Sequence, residues 1–331
     1  MKKFGVDLSK WNGKVDFRKL KEVGVEFVIL RCGYASTSNR NKYAKDPMFE
    51  EYYAAAKSAG LDVGTYFFSM LNGPITGKQE AEYIYSLIKD KQFEYPIWLD
   101  VENTKNLGTN SKEGITTGIE TCLEYLKERG YYVGIYTGKY LIRDYMIQDR
   151  IDKYDIWIAQ WSKSCDYNGN LCMWQFGGET NQLNNVKVPG VSSNSTDQNY
   201  CYIDYPSIIK SRGLNSYSKT DTTPSDNNSN KKDSWILRLQ KALNKQGFRD
   251  KNGSKLVEDG IAGHRTLSAC PTVRKGAKGN ITKLIQEKVS VKVDGSFGPN
   301  TYNAVKKYQE SKKIAADGIV GKNTWRKLLQ L

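Results

Sequence analysis

Asp100 and Glu102 close the run Tyr95-Pro-Ile-Trp-Leu-Asp-Val-Glu, two carboxylates two residues apart at the end of an apolar, strand-like segment. Side chains alternate across a strand, so Trp98, Asp100 and Glu102 share one face while Ile97, Leu99 and Val101 share the other. Two strand steps separate the acids by roughly 6.5 to 7 Å at Cβ. Carboxylates at that spacing, at the mouth of a pocket, repel each other and titrate apart, one protonated and one ionised near neutrality. Cleavage of a glycosidic bond uses that division of labour. A bare Asp-x-Glu is more simply a pair of solvated strand-end acids, so the elements around it have to distinguish the two readings.

Eight strand-like runs precede residue 206: Phe4 to Leu8, Val25 to Cys32, Asp62 to Phe68, Pro96 to Glu102, Tyr132 to Tyr136, Ile156 to Trp161, Met173 to Phe176 and Tyr202 to Tyr205. Each of the first five is followed by a helix-like segment, namely Val15 to Val23, Pro47 to Ala59, Gly77 to Lys89, Lys112 to Arg129 and Lys139 to Ile147. Asp46 and Thr76 suit N-caps, and Gly60 and Gly130 suit helix stops. In this part of the chain no helix is expected after Trp161. Five βα units followed by three strands predict a closed α/β barrel whose last part is abbreviated.

Functional residues of such barrels gather at the C-terminal ends of the strands. In Phe4-Gly-Val-Asp-Leu, parity points Gly5 and Asp7 inward. Asp7 then ends strand one, Asp100 and Glu102 end strand four, and Asp204 ends strand eight. Closure would set Asp7 beside Asp204, so four acids converge on one rim, an arrangement too costly for decoration. The rim also gathers Tyr34, Tyr66, Phe68, Tyr136, Gln160, Trp161, Trp174 and Gln175. Aromatic faces with amide partners suit the CH faces and hydroxyls of an oligosaccharide, and we single out Tyr34, Tyr66, Tyr136, Trp161 and Gln175 as substrate contacts.

Bulk properties narrow the chemistry. The 331 residues hold a single histidine, His264, far from these strands. Imidazole-dependent serine or cysteine hydrolysis and histidine-ligated zinc are thereby excluded from residues 1 to 234. Acid chemistry falls to carboxylates, with no metal or cofactor expected. The six cysteines show neither CxxC spacing nor the density of a disulfide scaffold, and Cys32 and Cys122 read as small core residues. Nothing approaches a membrane span, and Met1-Lys-Lys-Phe-Gly-Val-Asp enters the first strand without a secretory apolar region. A soluble protein made in the cytoplasm is expected.

Residues 213 to 234 are polar and poor in apolar side chains, which predicts a flexible linker between a domain over 1 to 212 and another over 235 to 331. The second carries 20 basic against 7 acidic residues, the rest of the chain 30 against 29. Such a basic module suits a polyanion: nucleic acid, an anionic membrane or a wall polymer. It repeats the pattern DGxxGxxT at Asp259, Asp294 and Asp317, each copy preceded by a helical segment carrying Leu239-Gln240, Ile285-Gln286 or Tyr308-Gln309. The loops lack the alternating acids and final Glu of an EF-hand.

Gly5-Val-Asp-Leu-Ser-Lys-Trp-Asn-Gly, Gly64-Thr-Tyr-Phe-Phe, Asp100-Val-Glu, Ile156-Trp-Ile-Ala-Gln-Trp, Trp174-Gln-Phe and Tyr202-Ile-Asp-Tyr, in that order, resemble glycoside hydrolase family 25, the Chalaropsis-type lysozymes. The repeat region resembles the helical peptidoglycan-binding domain, most completely over 280 to 331. The resemblance implies a modified TIM-like barrel with a small all-α domain. It also implies N-acetylmuramidase activity on the β-1,4 bond between N-acetylmuramic acid and N-acetylglucosamine. Glu102 would be the general acid, Asp100 its partner, and Asp7 and Asp204 the further rim acids. Many relatives carry aromatic-His-aromatic where this chain has Tyr66-Phe67-Phe68, which questions position 67.

On this reading Glu102 protonates the leaving oxygen. Asp100 either orients the substrate's N-acetyl group or positions a water. The expected partners are peptidoglycan and anionic wall polymers, not nucleic acid, whose phosphates the rim acids would repel, and not a membrane. The expected role is a phage-type endolysin held in the host cytoplasm until lysis, then acting on the cell wall. A chitinase-like hydrolase is the rival within enzymes, although its longer DxxDxDxE signature is missing. A non-catalytic wall-binding protein is the rival outside them.

Overall fold

A computed structural model describes the chain except residues 1, 40–41, 168, 178–186, 194, 219–233, 251–252, 254, 259, 261, 313 and 330–331. It divides into two compact units, Met1–Ser225 and Asp226–Leu331. Most of the expected linker therefore lies outside the described residues. The polar stretch starts later than the sequence predicts, because Asn215 is fully buried and donates to the carbonyls of Phe93 and Tyr95, both at 3.0 Å.

The first unit begins with β1 (Lys3–Leu8), α1 (Phe17–Glu22), β2 (Phe27–Ala35), a short β3 (Tyr43–Lys45) and α2 (Phe49–Ser58). Then come β4 (Asp62–Phe68), α3 (Pro74–Ile88), β5 (Ile97–Asp100), α4 (Thr104–Leu107) and α5 (Lys112–Glu128). It ends with β6 (Val133–Gly138), α6 (Lys139–Tyr145), α7 (Gln148–Ile151), β7 (Asp155–Ala159), β8 (Leu171–Gly177), β9 (Asp197–Cys201) and α8 (Tyr205–Arg212). The sheet runs β1-β9-β8-β7-β6-β5-β4-β2-β3 and closes through β1 with β2. Eight strands thus form a barrel, with β3 hairpinned outside β2. Five crossovers followed by β7, β8 and β9 match the expected plan.

Parity also holds. Val6, Leu8, Val28, Leu30, Ile97, Leu99 and Val101 belong to the buried layer between strands and helices. Phe27, Ile29, Trp98, Tyr136 and Trp157 fill the barrel's interior. Trp98 and Trp157 meet edge to face at 5.7 Å, and Tyr136 meets Trp157 at 4.5 Å. Gly134 admits this plug, since a Cβ there would lie 2.3 Å from the Trp98 ring. These rings fill the space beneath the strand ends with apolar matter of low dielectric.

Two features depart from expectation, and both concern the end of the barrel. The eighth strand is Asp197–Cys201, not Tyr202–Tyr205, and it runs antiparallel to both β1 and β8. Asp204 and Pro206 instead open α8, where a proline near the first turn costs no hydrogen bond and Gly213 ends the helix in the left-handed region. Among the described residues no helix covers the outer face of β8 and β9. Phe4, Trp174, Phe176 and Tyr200 pack on one another there, with Phe176 stacked on Tyr200 at 4.4 Å.

The second unit contains α9 (Ser234–Lys245), α10 (His264–Ala269), α11 (Asn280–Lys288), α12 (Pro299–Ser311) and α13 (Lys322–Leu328). Its core joins Trp235, Leu239, Leu243, Ile285, Phe297, Val305, Val320 and Trp325. The repeat has a physical explanation. Gln286 Nε2 donates to Asp294 Oδ1 (2.8 Å), Ser296 O (3.1 Å) and Thr301 Oγ1 (2.9 Å), while Gly295 N donates to its Oε1 (2.8 Å). Gln309 repeats this with Asp317, the Ile319 carbonyl and Thr324, each at 2.9 Å, and with Gly318 N at 2.8 Å. Gln240 keeps the bonds from Gly260 N and to Thr266 Oγ1; Asp259 lies outside the described residues. Each repeat is therefore a loop wound around one buried glutamine, with Gly295 and Gly318 at φ +78° and +72°. Gln309→Ala strands the buried Gly318 N–H and leaves the Thr324 hydroxyl with only its bond to the Ile319 carbonyl (3.2 Å), so it is expected to cost about 2 kcal/mol of this unit's stability, measured by denaturant unfolding.

Candidate active site

The acids stand at the C-terminal mouth of the barrel. In register, Phe68 faces Asp100, Asp100 faces Tyr136, and Asp7 lies between Ile29 and Asp197. Asp100 and Asp7 are buried at 3% and 6% exposure, whereas Glu102, two residues farther along the same face, is exposed. One carboxyl of the motif thus meets solvent above another sunk among the strands. Asp100 keeps Oδ1 buried with no hydrogen-bond partner.

Asp7 is held by a chain of oriented donors. Its Oδ2 accepts from Asn199 Nδ2 (2.8 Å) and from Gln175 Nε2 (3.0 Å). An indole N–H can only donate. Trp157 Nε1 therefore fixes the oxygen of Asn199 on its own side (2.8 Å) and turns the amide nitrogen to Asp7. Trp161 Nε1 (3.1 Å) and the Tyr136 hydroxyl (2.9 Å) fix the Gln175 oxygen likewise. Three of the substrate contacts expected from sequence, Tyr136, Trp161 and Gln175, are thus one network with Asp7.

The surrounding protein raises all three acids. Asp7 is pushed up to about 6 by burial, against its bonds to Asn199, Gln175 and Asp197. Asp100 is raised well above the ordinary carboxylate range by burial and by the charges of Glu102 and Asp7, with Arg31 opposing. Glu102 is raised by the protein packed around it and by Asp7, with the Tyr136 hydroxyl opposing. These carboxyls consequently give up their protons at higher pH than isolated ones would. Glu102 is the member facing solvent.

Asp204 is not among them. Because β9 is antiparallel, Cys201 pairs with Lys3 at the start of β1, and the chain reaches Asp204 beyond the barrel's other end. There Asp204 caps α8 and accepts from Ser207 (2.7 Å). The acid that closure brings to Asp7 is Asp197, which is hydrogen-bonded to it. Trp174 also leaves the rim: its parity is opposite to that of Gln175, so its ring joins the outer aromatic patch. Gln160 braces the loop that carries Trp161, through Ser162 and Ser164. Phe67 packs in the helix layer against Tyr43 and Tyr83, so position 67 does not reach the site.

Tyr66 keeps its expected place. It is half-buried, meets Trp157 edge to face at 6.3 Å, and feels the charges of Asp7, Arg31 and Asp100. Tyr34 sits in a basic and aromatic corner. The Arg31 guanidinium lies 5.3 Å from its ring and the Lys10 amine 5.5 Å, with the same amine 4.7 Å from Trp11. Asp46 anchors the corner by accepting from Arg31 Nε (2.7 Å) and Lys10 N (3.1 Å). Trp11 is 75% exposed on a single 3-10 turn capped by Ser9 and tied by Asn12 to Ser195. Arg31, Trp11, Asp197 and Asn199 were not expected from sequence, although Arg31 shares the inward parity of Phe27 and Ile29.

The sequence profile of the glycosyl hydrolases family 25 matches residues 6–185, and that of a peptidoglycan binding domain matches residues 282–328. Over 160 residues the chain is 29% identical to an autolytic lysozyme of Clostridium acetobutylicum, covering 48% of this chain and 45% of that one. It thus spans less than half the length of that curated relative. The bacterial lysozyme from Streptomyces coelicolor superposes with a TM-score of 0.52 at 21% identity, over 65% of this chain and 98% of that one. The modular autolysin from Streptococcus pneumoniae gives 0.52 at 21% identity, over 61% and 47%. These structures share the fold.

Proposed function

Because the chain belongs to the glycosyl hydrolases family 25, we propose that it is an N-acetylmuramidase. Its substrate is the β-1,4 bond between N-acetylmuramic acid and N-acetylglucosamine in peptidoglycan. The observation that carries this reading is the pairing of exposed Glu102 with buried Asp100 at the end of β5, in a barrel without histidine.

Glu102 protonates the glycosidic oxygen as the bond to the anomeric carbon breaks, and its raised pKa keeps that proton available. Asp100 serves the acetamido group. One of its oxygens lacks a donor, and the sugar's amide N–H supplies one, aligning the acetamido oxygen, which bonds to the anomeric carbon as the leaving sugar departs with the proton of Glu102; water then displaces that oxygen from the face the leaving sugar vacated and gives its proton to the Glu102 carboxylate. The product keeps its anomeric configuration; NMR that shows α-anomer forming first overturns this step. Asp7, Asp197 and the amides behind them hold negative charge near the developing oxocarbenium ion.

Digestion of purified Gram-positive walls followed by borohydride reduction tests the bond assignment. Muramitol is expected, whereas glucosaminitol, or new amines without new reducing ends, overturns it. Exposed Trp11 offers a platform for an outer sugar ring. Trp11→Ala is expected to raise KM about fivefold with kcat little changed, read from initial rates on soluble glycan fragments.

The basic second unit supports a further reading, that the enzyme is anchored on the wall it cuts. We place it as an endolysin retained in the producing cell until lysis, and active export from intact, non-lysing cells overturns that placement.

A further inference from the structure

α11, the turn after it and one face of α12 enclose a groove of about 480 Å³ in the second unit. Its floor is a single stripe of α12, since Asn300, Asn303, Lys307, Tyr308 and Ser311 recur at helical spacing on that face. Lys288 and Ser290 form part of the wall, and among the described residues no acidic one lines the groove. The opposite face of α12, with Thr301, Val305 and Gln309, is buried in the domain core and the repeat loop. The glutamine-centred loops therefore hold α12 in place while leaving its polar stripe open.

We propose that this groove binds an extended, carboxylate-bearing peptide, the chemistry of the short peptides that hang from the wall's glycan. The proposal rests on the wall reading above and adds to it a location and a ligand class. Three observations favour a peptide. Asn300 and Asn303 present side-chain amides that can donate to and accept from peptide groups at once. Lys288 and Lys307 supply two separate point charges, which suits carboxylates better than a dense run of phosphates. Among the described residues the only aromatic one lining it, Tyr308, is half-buried and packs on the core, so it displays no free ring for stacking a sugar. From Asn300 to Ser311 the helix rises roughly 16 Å, the reach of about five extended residues.

The test is co-sedimentation of the full chain with purified walls, before and after hydrofluoric acid strips their phosphate polymers. Soluble diacetyl-Lys-D-Ala-D-Ala is the competitor. Lys307→Glu and Asn303→Ala are each expected to weaken wall binding about tenfold. Lys283→Glu, an exposed charge change on α11 outside the groove, is expected to stay within about twofold. The tripeptide should displace the parent, and stripped walls should bind as well as untreated ones. Binding lost on stripping makes the ligand a phosphate polymer and overturns the proposal. Equal losses from Lys283→Glu and Lys307→Glu also overturn it, because general charge would then suffice. If the parent binds through the groove but releases no new reducing ends, the hydrolase reading fails and the groove stands.

Discussion

Glu102→Gln is expected to lower the release of new reducing ends from peptidoglycan by about 1,000-fold, the usual worth of a positioned general acid. The variant should fold at least as well as the parent. Glu102 is raised by its surroundings and by Asp7, so a neutral amide there relieves repulsion and should leave the unfolding temperature equal or higher. Lost activity with a lowered unfolding temperature would mean damage to the barrel. Near-parental activity would mean that Glu102 is not the acid.

Asp7 and Asp204 are expected to separate sharply. Asp7→Asn should cost about 100-fold in kcat/KM, in the range of removing one electrostatic contact from a preorganised site. It should also move the alkaline limb of the pH profile. Asp7 raises the pKa of Glu102; without its charge Glu102 loses its proton at lower pH, and activity, which needs the protonated acid, falls earlier as pH rises. Asp204→Asn should stay within about twofold of the parent, in line with a surface substitution away from the chemistry. If Asp204→Asn is as damaging as Asp7→Asn, the assignment of the rim acids fails.

Asp204 lies away from the rim because the eighth strand is not where its sequence pattern suggests. Hydrophobic alternation locates strands that pack apolar side chains, and it found seven of the eight barrel strands and the inward parity of Asp7 and Asp100. β9 carries Asp197 and Asn199 on the face that meets Asp7, where the site needs a hydrogen-bonding wall. That polarity hides it from a hydrophobic pattern, while Tyr202-Ile-Asp-Tyr just beyond looks more strand-like and starts a helix. One signal was available. Parallel neighbours usually cross over through a helix, and no helical pattern lies between Phe176 and Tyr202; that admits an antiparallel return without requiring it, since β7 and β8 run parallel with no helix among the described residues between them. Trp11 escaped for another reason: an exposed ring on a turn has no periodicity to betray it. The triple repeat was legible as punctuation, but the hub role of Gln240, Gln286 and Gln309 required their hydrogen bonds.

The two indoles behind Asp7 have a consequence for acidity. Trp157 and Trp161 donate through N–H groups that keep their protons from acid to alkaline solution, and the amides they orient do not titrate either. A site built around imidazole rearranges its frame as the imidazole gains or loses charge. Here the frame is indifferent to pH and only the carboxyls respond. The titration curve of this site should therefore read out its carboxyl cluster alone, without a second process folded into it.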